Sequence, residues 1–326
     1  MKPAENAPSS PAALANLVRT HGHCFLSTED GAFWVWNAPA MEIMRAVDQW
    51  TFPRLSALVQ LRQLQDKTLT VYTLLQRQTV PAVAILFPLD RWRAELLSFW
   101  VHPQRRRAGI GNLLLNQIDL LCLKSGVRQM FLHYRTYWPM TTVWRRMLDR
   151  RGWKESATLM HYVIVSDWDR IYASPWYQRV YLPTTFKIES ATPQKLAALV
   201  RSWEDAGQME SVPTSLHPAQ LVQRLDQQAS LIALSDGEPV GWCLLHQLRD
   251  DLWQCTTVYV QPDHRSRLGL GLVAEMVRRH AGRGRIHFMI QPENQLMLRF
   301  AHRHLKPAGA ELHRLLRMEH LRSEER

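Results

Sequence analysis

Between Val101 and Gly111 the chain reads Val-His-Pro-Gln-Arg-Arg-Arg-Ala-Gly-Ile-Gly, an arginine triplet running into two glycines spaced one residue apart. Residues 94–101 (Ala-Glu-Leu-Leu-Ser-Phe-Trp-Val) have strand composition, and Leu113, Leu114, Leu115, Ile118 and Leu121 recur with the period of a buried helix face. A strand, loop and helix in this order leave the first helical N–H groups without intrahelical partners, at the positive end of the helix dipole. Such a junction suits phosphate oxygens. Gly109 and Gly111 would let the backbone come close to a pyrophosphate, and the arginines add charge. Each charge-assisted hydrogen bond contributes about 1.5–3 kcal/mol, so a few backbone donors suffice as an anchor. The spacing is neither Gly-x4-Gly-Lys-Ser/Thr nor Gly-x-Gly-x-x-Gly, which argues against nucleotide hydrolysis and hydride transfer.

The elements around the loop are legible. Thr68 to Leu75 and Ala82 to Leu86 read as strands about the turn Gln76–Thr79. Val127 to Tyr134 reads as a strand, Val143 to Arg150 as a helix and Leu159 to Val165 as a last strand. The same plan returns in the second half. A hairpin over Ser230–Trp242 turns at Asp236-Gly237, Trp253 to Val260 is a strand, Arg265-Ser266-Arg267-Leu268-Gly269-Leu270-Gly271 opens a helix, Ile286 to Ile290 is a strand, and Asn294 starts another helix.

Arg106-Arg107-Ala108-Gly109-Ile110-Gly111 matches Arg/Gln-x-x-Gly-x-Gly/Ala, and with this order of elements the chain resembles the GNAT superfamily of acyl-CoA-dependent N-acyltransferases. The resemblance implies an α/β (α+β) fold of two tandem GNAT-like domains, each a mixed, mainly antiparallel sheet flanked by helices. It also implies acetyl-CoA or another acyl-CoA as co-substrate and transfer of the acyl group to a primary amine by direct attack. Val101, Arg106, Arg107, Ala108, Gly109, Ile110, Gly111 and Asn112 would then bind the cofactor, Val101 and its neighbours through backbone atoms.

In the second half the corresponding set is Arg265, Arg267, Gly269, Gly271 and Asn294. Eight positions separate Val101 from Gly109 but nine separate Val260 from Gly269, which places the second phosphate register in doubt. Aligned on the glycines, Ser266 stands where the family's arginine belongs.

Glu95 is the candidate base, because family members often carry a glutamate on this strand, and strand parity gives Glu95, Leu97, Phe99 and Val101 one face. A glutamate at the exposed start of a strand is the other reading. Asp250 and Asp251 are weaker candidates in the second half. The family's tyrosine acid is missing from its usual places, occupied by Leu148 and Ala301. Tyr134 and Tyr137 are substitutes by position, with packing as the alternative, and His133, His302 and His304 are further candidates, a surface or core histidine being the other reading. Two functions remain open: an acyl-CoA-dependent N-acetyltransferase, or a catalytically decayed tandem protein that senses CoA or docks on an acidic protein or RNA.

The 326 residues, 46% hydrophobic, suit two domains. The expected division is a disordered tip at 1–11, an N-terminal domain at 12–165, a linker at 166–185 whose aromatics (Trp168, Tyr172, Trp176, Tyr177, Tyr181) suggest a packed connection, and a C-terminal domain at 186–322. The net charge of +11 suits acyl-CoA and an acidic partner. Cys24, Cys122, Cys243 and Cys255 show no metal or disulfide spacing, so reduced thiols and no metal are expected. No leader or membrane span is read, and a cytoplasmic protein is expected.

Overall fold

The computed structural model describes residues 15, 19–28, 31–39, 67–76, 79–218, 224–280 and 282–321. The expected tip at 1–11 lies outside them. The chain divides into two compact units, Met1–Ala157 with Leu316–Arg326, and Thr158–Leu315.

In the first unit β1 (His23–Thr28), β2 (Gly31–Pro39), β3 (Thr68–Gln76), β4 (Thr79–Pro88) and β5 (Arg93–Val101) pair antiparallel in succession. Helix α1 (Ile110–Lys124) then carries the chain over to β6 (Gln129–Arg135), which pairs parallel to β5, as a helical crossover requires. Helix α2 (Thr141–Asp149) leads into β7 (Lys154–Val165). This last strand opens in the first unit and finishes in the second, whereas β13 (Glu311–Leu321) does the reverse.

The order in the first unit is therefore β1-β2-β3-β4-β5-β6-β13-β7. Its two cores lie on opposite faces of the sheet. Ile110, Leu114, Leu115, Ile118 and Cys122 of α1 cover Phe99, Met130, Leu132 and Tyr134, while Trp36, Val71, Val83, Ile85 and Leu97 pack on the other side. The β1–β2 hairpin was not read from sequence, although Asp30-Gly31 followed by Phe33-Trp34-Val35-Trp36 carries its signal.

The second unit begins with the end of β7, then α3 (Trp168–Ala173), α4 (Pro175–Arg179), β8 (Phe186–Ser190), α5 (Pro193–Asp205), β9 (Leu231–Ser235), β10 (Glu238–Arg249) and β11 (Leu252–Val260). Helix α6 (Arg265–His280), β12 (Arg285–Ile290) and α7 (Gln295–Phe300) follow. Its order is β13-β7-β12-β11-β10-β9-β8, with β11 and β12 parallel. Asp236 and Gly237 form the β9–β10 turn at φ 52° and 89°, the left-handed pair that a two-residue hairpin needs.

Residues 166–185, expected as a linker, fold onto this unit: Ile171 and Trp176 are buried in its core, and Trp168 Nε1 donates to Gly284 O at 2.8 Å. The aromatic density of that stretch is core, packed by the same apolar burial as the strands.

Two glycines test the packing. A Cβ on Gly241 of β10 would meet the Tyr259 carbonyl oxygen at 2.6 Å, whereas one on Gly269, inside α6, would meet nothing within 4 Å. Gly241→Ala is expected to cost about 2 kcal/mol or more, and Gly269→Ala to stabilise by about 0.5–1 kcal/mol, both read from urea unfolding.

Candidate active site in the first unit

After Val101 the chain makes one short helical turn, Pro103–Arg105, then leaves helical geometry until Ile110. Arg107 at φ 68° and Gly109 at φ 79° are both left-handed, so the loop folds tightly before α1 starts. Gly109 is the N-cap and offers no side chain, the first turn of α1 carries no acidic residue, and the loop residues from 103 to 109 are exposed. Arg106 Nε donates to Val101 O at 3.1 Å, tying the loop to the strand end. A Cβ on Gly111 would touch Val101 and Phe99 at 3.4 and 3.5 Å, so this glycine sets how closely α1 lies on β5. Asn112 contributes its carbonyl to Arg151, whose guanidinium also reaches Asn116 and Asp119. The result is an open helix N-terminus with free donors, flanked by arginines. Such a cradle fits a pyrophosphate.

Strand β5 is interrupted four residues before its end. Ile85 pairs with Ser98 and Leu86 with Leu96, leaving Leu97 as a one-residue bulge. The parallel ladder to β6 stops at Leu96–Leu132, one residue before the bulge. Beyond it the strands part around a small cavity of about 10 Å³ bounded by Phe99, Leu132, His133, Trp138 and Trp144. Trp144 of α2 packs on Phe99 with ring centroids 5.0 Å apart.

The bulge also corrects the parity expected from the sequence. Ala94, Leu96 and Phe99 belong to the core under α1, while Leu97 belongs to the opposite one. An extra residue switches faces, so Glu95 and Leu97 do not share a face with Phe99 and Val101.

Glu95 stands on the face away from α1, and so does His133, since Met130, Leu132 and Tyr134 of β6 point into the α1 core. The two meet: His133 Nδ1 lies 2.6 Å from Glu95 Oε1, with side chains only 12% and 10% exposed. Glu95 is thus buried rather than at an exposed strand start. His133 lines the cavity, and the carboxylate holds its ring from behind. The separation of 38 residues left no local signal of this pair in the sequence.

The second unit repeats the frame and alters the chemistry. Leu244 pairs with Thr257 and Leu245 with Cys255, so Thr256 is a bulge four residues before Val260. The parallel ladder stops at Cys255–Phe288. Arg265 Nε donates to Val260 O at 3.1 Å, which makes Arg265, not Ser266, the counterpart of Arg106. From that residue on, however, the chain is helical, because α6 starts at Arg265. Residue 267, Gly269 and Gly271 lie inside the helix, and no left-handed residue precedes it.

A Cβ on Gly271 would strike Leu182 at 2.8 Å, so this glycine admits the unit's own chain rather than a ligand. At the register of Glu95 stands Gln254, and at that of His133 stands Met289, joined by Gln254 Nε2 to Met289 Sδ at 3.7 Å. An amide and a thioether do not exchange protons at neutral pH.

The other expected residues are placed as follows. Tyr134 is wholly buried in the α1 core, on the face opposite Glu95, and Leu148 and Ala301 are equally buried. Tyr137 Oη accepts from Arg135 Nη1 at 2.6 Å. Asn294 caps α7, accepting from Met297 N at 3.2 Å. Asp251 pairs with Arg285, whose guanidinium holds that carboxyl below its usual range. Cys243 and Cys255, scattered in sequence, bring their Sγ atoms to 4.0 Å; the contact with Cys255 and then burial push the Cys243 thiol up. Arg278, Arg279, Arg283 and Arg285, which contribute to the positive charge, each hold a carboxylate. Among the described residues no helix is long and apolar enough to cross a membrane.

Comparison with known proteins follows the same division. The model of the Acetyltransferase (GNAT) family matches residues 34–137 and again 196–305. Similar solved structures include a tandem GNAT protein from the clavulanic acid biosynthesis pathway, 17% identical, with a TM-score of 0.49 over 79% of this chain and 84% of that one. A GCN5-related N-acetyltransferase from Sphaerobacter thermophilus is 16% identical, with a TM-score of 0.44 over 89% and 95% of the two chains. No curated protein matches the chain. With two matched segments that together span most of its length, the chain belongs to the GNAT acetyltransferase family and carries its domain in tandem.

Proposed function

We propose that the chain transfers an acetyl group from acetyl-CoA to a primary amine, with donor binding and proton chemistry both in the first unit. The observation that carries this reading is the contrast at one register: Glu95 with His133 in the first unit, Gln254 with Met289 in the second. The loops agree with it. The first leaves an arginine-flanked helix N-terminus open, and the second runs as helix with Leu182 against Gly271. In this reading the second unit keeps the frame without the donor loop or the Glu–His pair.

The acceptor amine must lose a proton before attack, and at a pKa of about 10.4 this costs ~4–5 kcal/mol at neutral pH. His133 takes that proton, with Glu95 as the positioning residue that fixes the ring and balances the imidazolium. The nitrogen lone pair attacks the thioester carbon, the C–N bond forms, and the C–S bond breaks with its electron pair leaving on sulfur. The proton held by His133 is then available to the thiolate. Amides of β5 beyond Leu96 that do not bond to β4 are the donors for the carbonyl oxygen; loss of such a donor costs about 2.7–4 kcal/mol in the transition state. Phe99, Trp138 and Trp144 wall the cavity beside His133.

Two measurements test the reading. In calorimetric titration, Gly109→Glu should abolish CoA binding, because it strains a left-handed residue and sets a carboxylate among the donors, while Gly269→Glu should leave it intact. Equal loss in both would refute a single donor site. In a thiol-release assay with acetyl-CoA and a panel of primary amines, His133→Ala should lower kcat by about 10²–10⁴-fold with CoA affinity unchanged, and Glu95→Gln by less. Gln254→Ala should not alter the rate. An unchanged kcat in His133→Ala sinks the assignment.

A further inference from the structure

A recess lies in the second unit, at the end of β11 remote from its bulge. It has a volume of about 650 Å³ and three guanidiniums from three separate elements reach its lining: Arg224 before the β-bridge at Leu225, Arg249 at the end of β10, and Arg283 between α6 and β12.

Arg283 is fixed before any ligand arrives. Nη2 pairs with Asp226 at 2.8 Å, Nε donates to His280 O at 2.9 Å, and the guanidinium lies over the Trp253 ring at 5.7 Å. Asp226 is itself held, accepting from the backbone N–H groups of Gln228 and Ala229 at 3.1 Å each, so the pair is a rigid brace. Arg283 keeps Nη1 uncommitted in these bonds.

Arg224 donates to Leu248 O at 3.3 Å and sits at φ 126°, a conformation that L residues rarely adopt. Arg249 is exposed and makes no ion pair among the described residues. Asp250 is the one lining carboxylate not held in a pair with Arg283. With Asp226 neutralised by Arg283, the lining has two further arginines, Arg224 and Arg249, against one carboxylate, Asp250, and a polar recess of this size takes a ligand as large as a mononucleotide. Guanidinium forks match the geometry of phosphate, and converging arginines favour a dianion over a single carboxylate.

We propose that this recess is a binding site for a small organic phosphate, separate from the acyl-CoA site of the first unit, with Arg249, Arg224 and Arg283 as the phosphate-holding residues. The Trp253 indole and the aliphatic stems of the arginines supply the wall for the organic part.

The test is calorimetric titration of the full chain with AMP and, separately, with inorganic pyrophosphate at low salt. AMP should bind, Arg249→Ala should weaken that binding by about tenfold or more, and Arg249→Lys by less, because a point charge replaces a fork. Arg106→Ala should leave it unchanged, which separates this site from the donor loop. Circular dichroism melting of Arg249→Ala checks that the exposed substitution leaves the fold intact. Absence of AMP binding at millimolar concentration, or binding that ignores Arg249→Ala, overturns the proposal whatever the fate of the acetyl-transfer reading.

Discussion

One extra residue in β5 organises the first unit. Leu97 has no partner on β4, and the ladder to β6 ends at the residue before it. A sheet ladder is a repeating set of hydrogen bonds, and an unmatched residue bends the strand and releases its neighbour. The release opens the gap in which His133 lines a cavity, and the change of parity turns Phe99 and Val101 toward α1. Gly111 then lets the helix settle on those two side chains, so the position of the phosphate cradle follows from the bulge as well.

The second unit shows which parts of that frame are architectural and which are chemical. Its bulge at Thr256, its truncated parallel ladder and the Arg265–Val260 hydrogen bond repeat those of the first unit. The open loop and the Glu95–His133 pair do not repeat. Four residues that form an open loop in the first unit are a turn of helix in the second, which consumes the N–H groups a phosphate would use. Burying a glutamate and a histidine together is costly unless each satisfies the other, and Gln254 with Met289 avoids that cost.

The tryptophans and histidines illustrate how burial reassigns residues that look reactive. Trp242 and Tyr259 stack at 4.6 Å between β10 and β11, and Trp168 anchors α3 to the Gly284 carbonyl. Tyr134, attractive by position, is a core ring. Arg278, Arg279, Arg283 and Arg285, close together in sequence, are each engaged with a carboxylate of the same unit.

The sequence by itself determined the succession of strands and helices, the tandem plan, the family and the arginine-glycine loop ahead of α1. Each of these is written in local periodicity and in glycine, arginine and turn residues close together in the chain. The strands from Thr68 to Val101, the Asp236-Gly237 hairpin and the asparagine cap of α7 all stood in the sequence. Only the tertiary structure decided the partner of Glu95, the face each β5 residue occupies and the register of the second loop. Those depend on contacts between residues far apart, or on a single unpaired residue that shifts every side chain after it, and neither leaves a mark in composition or spacing.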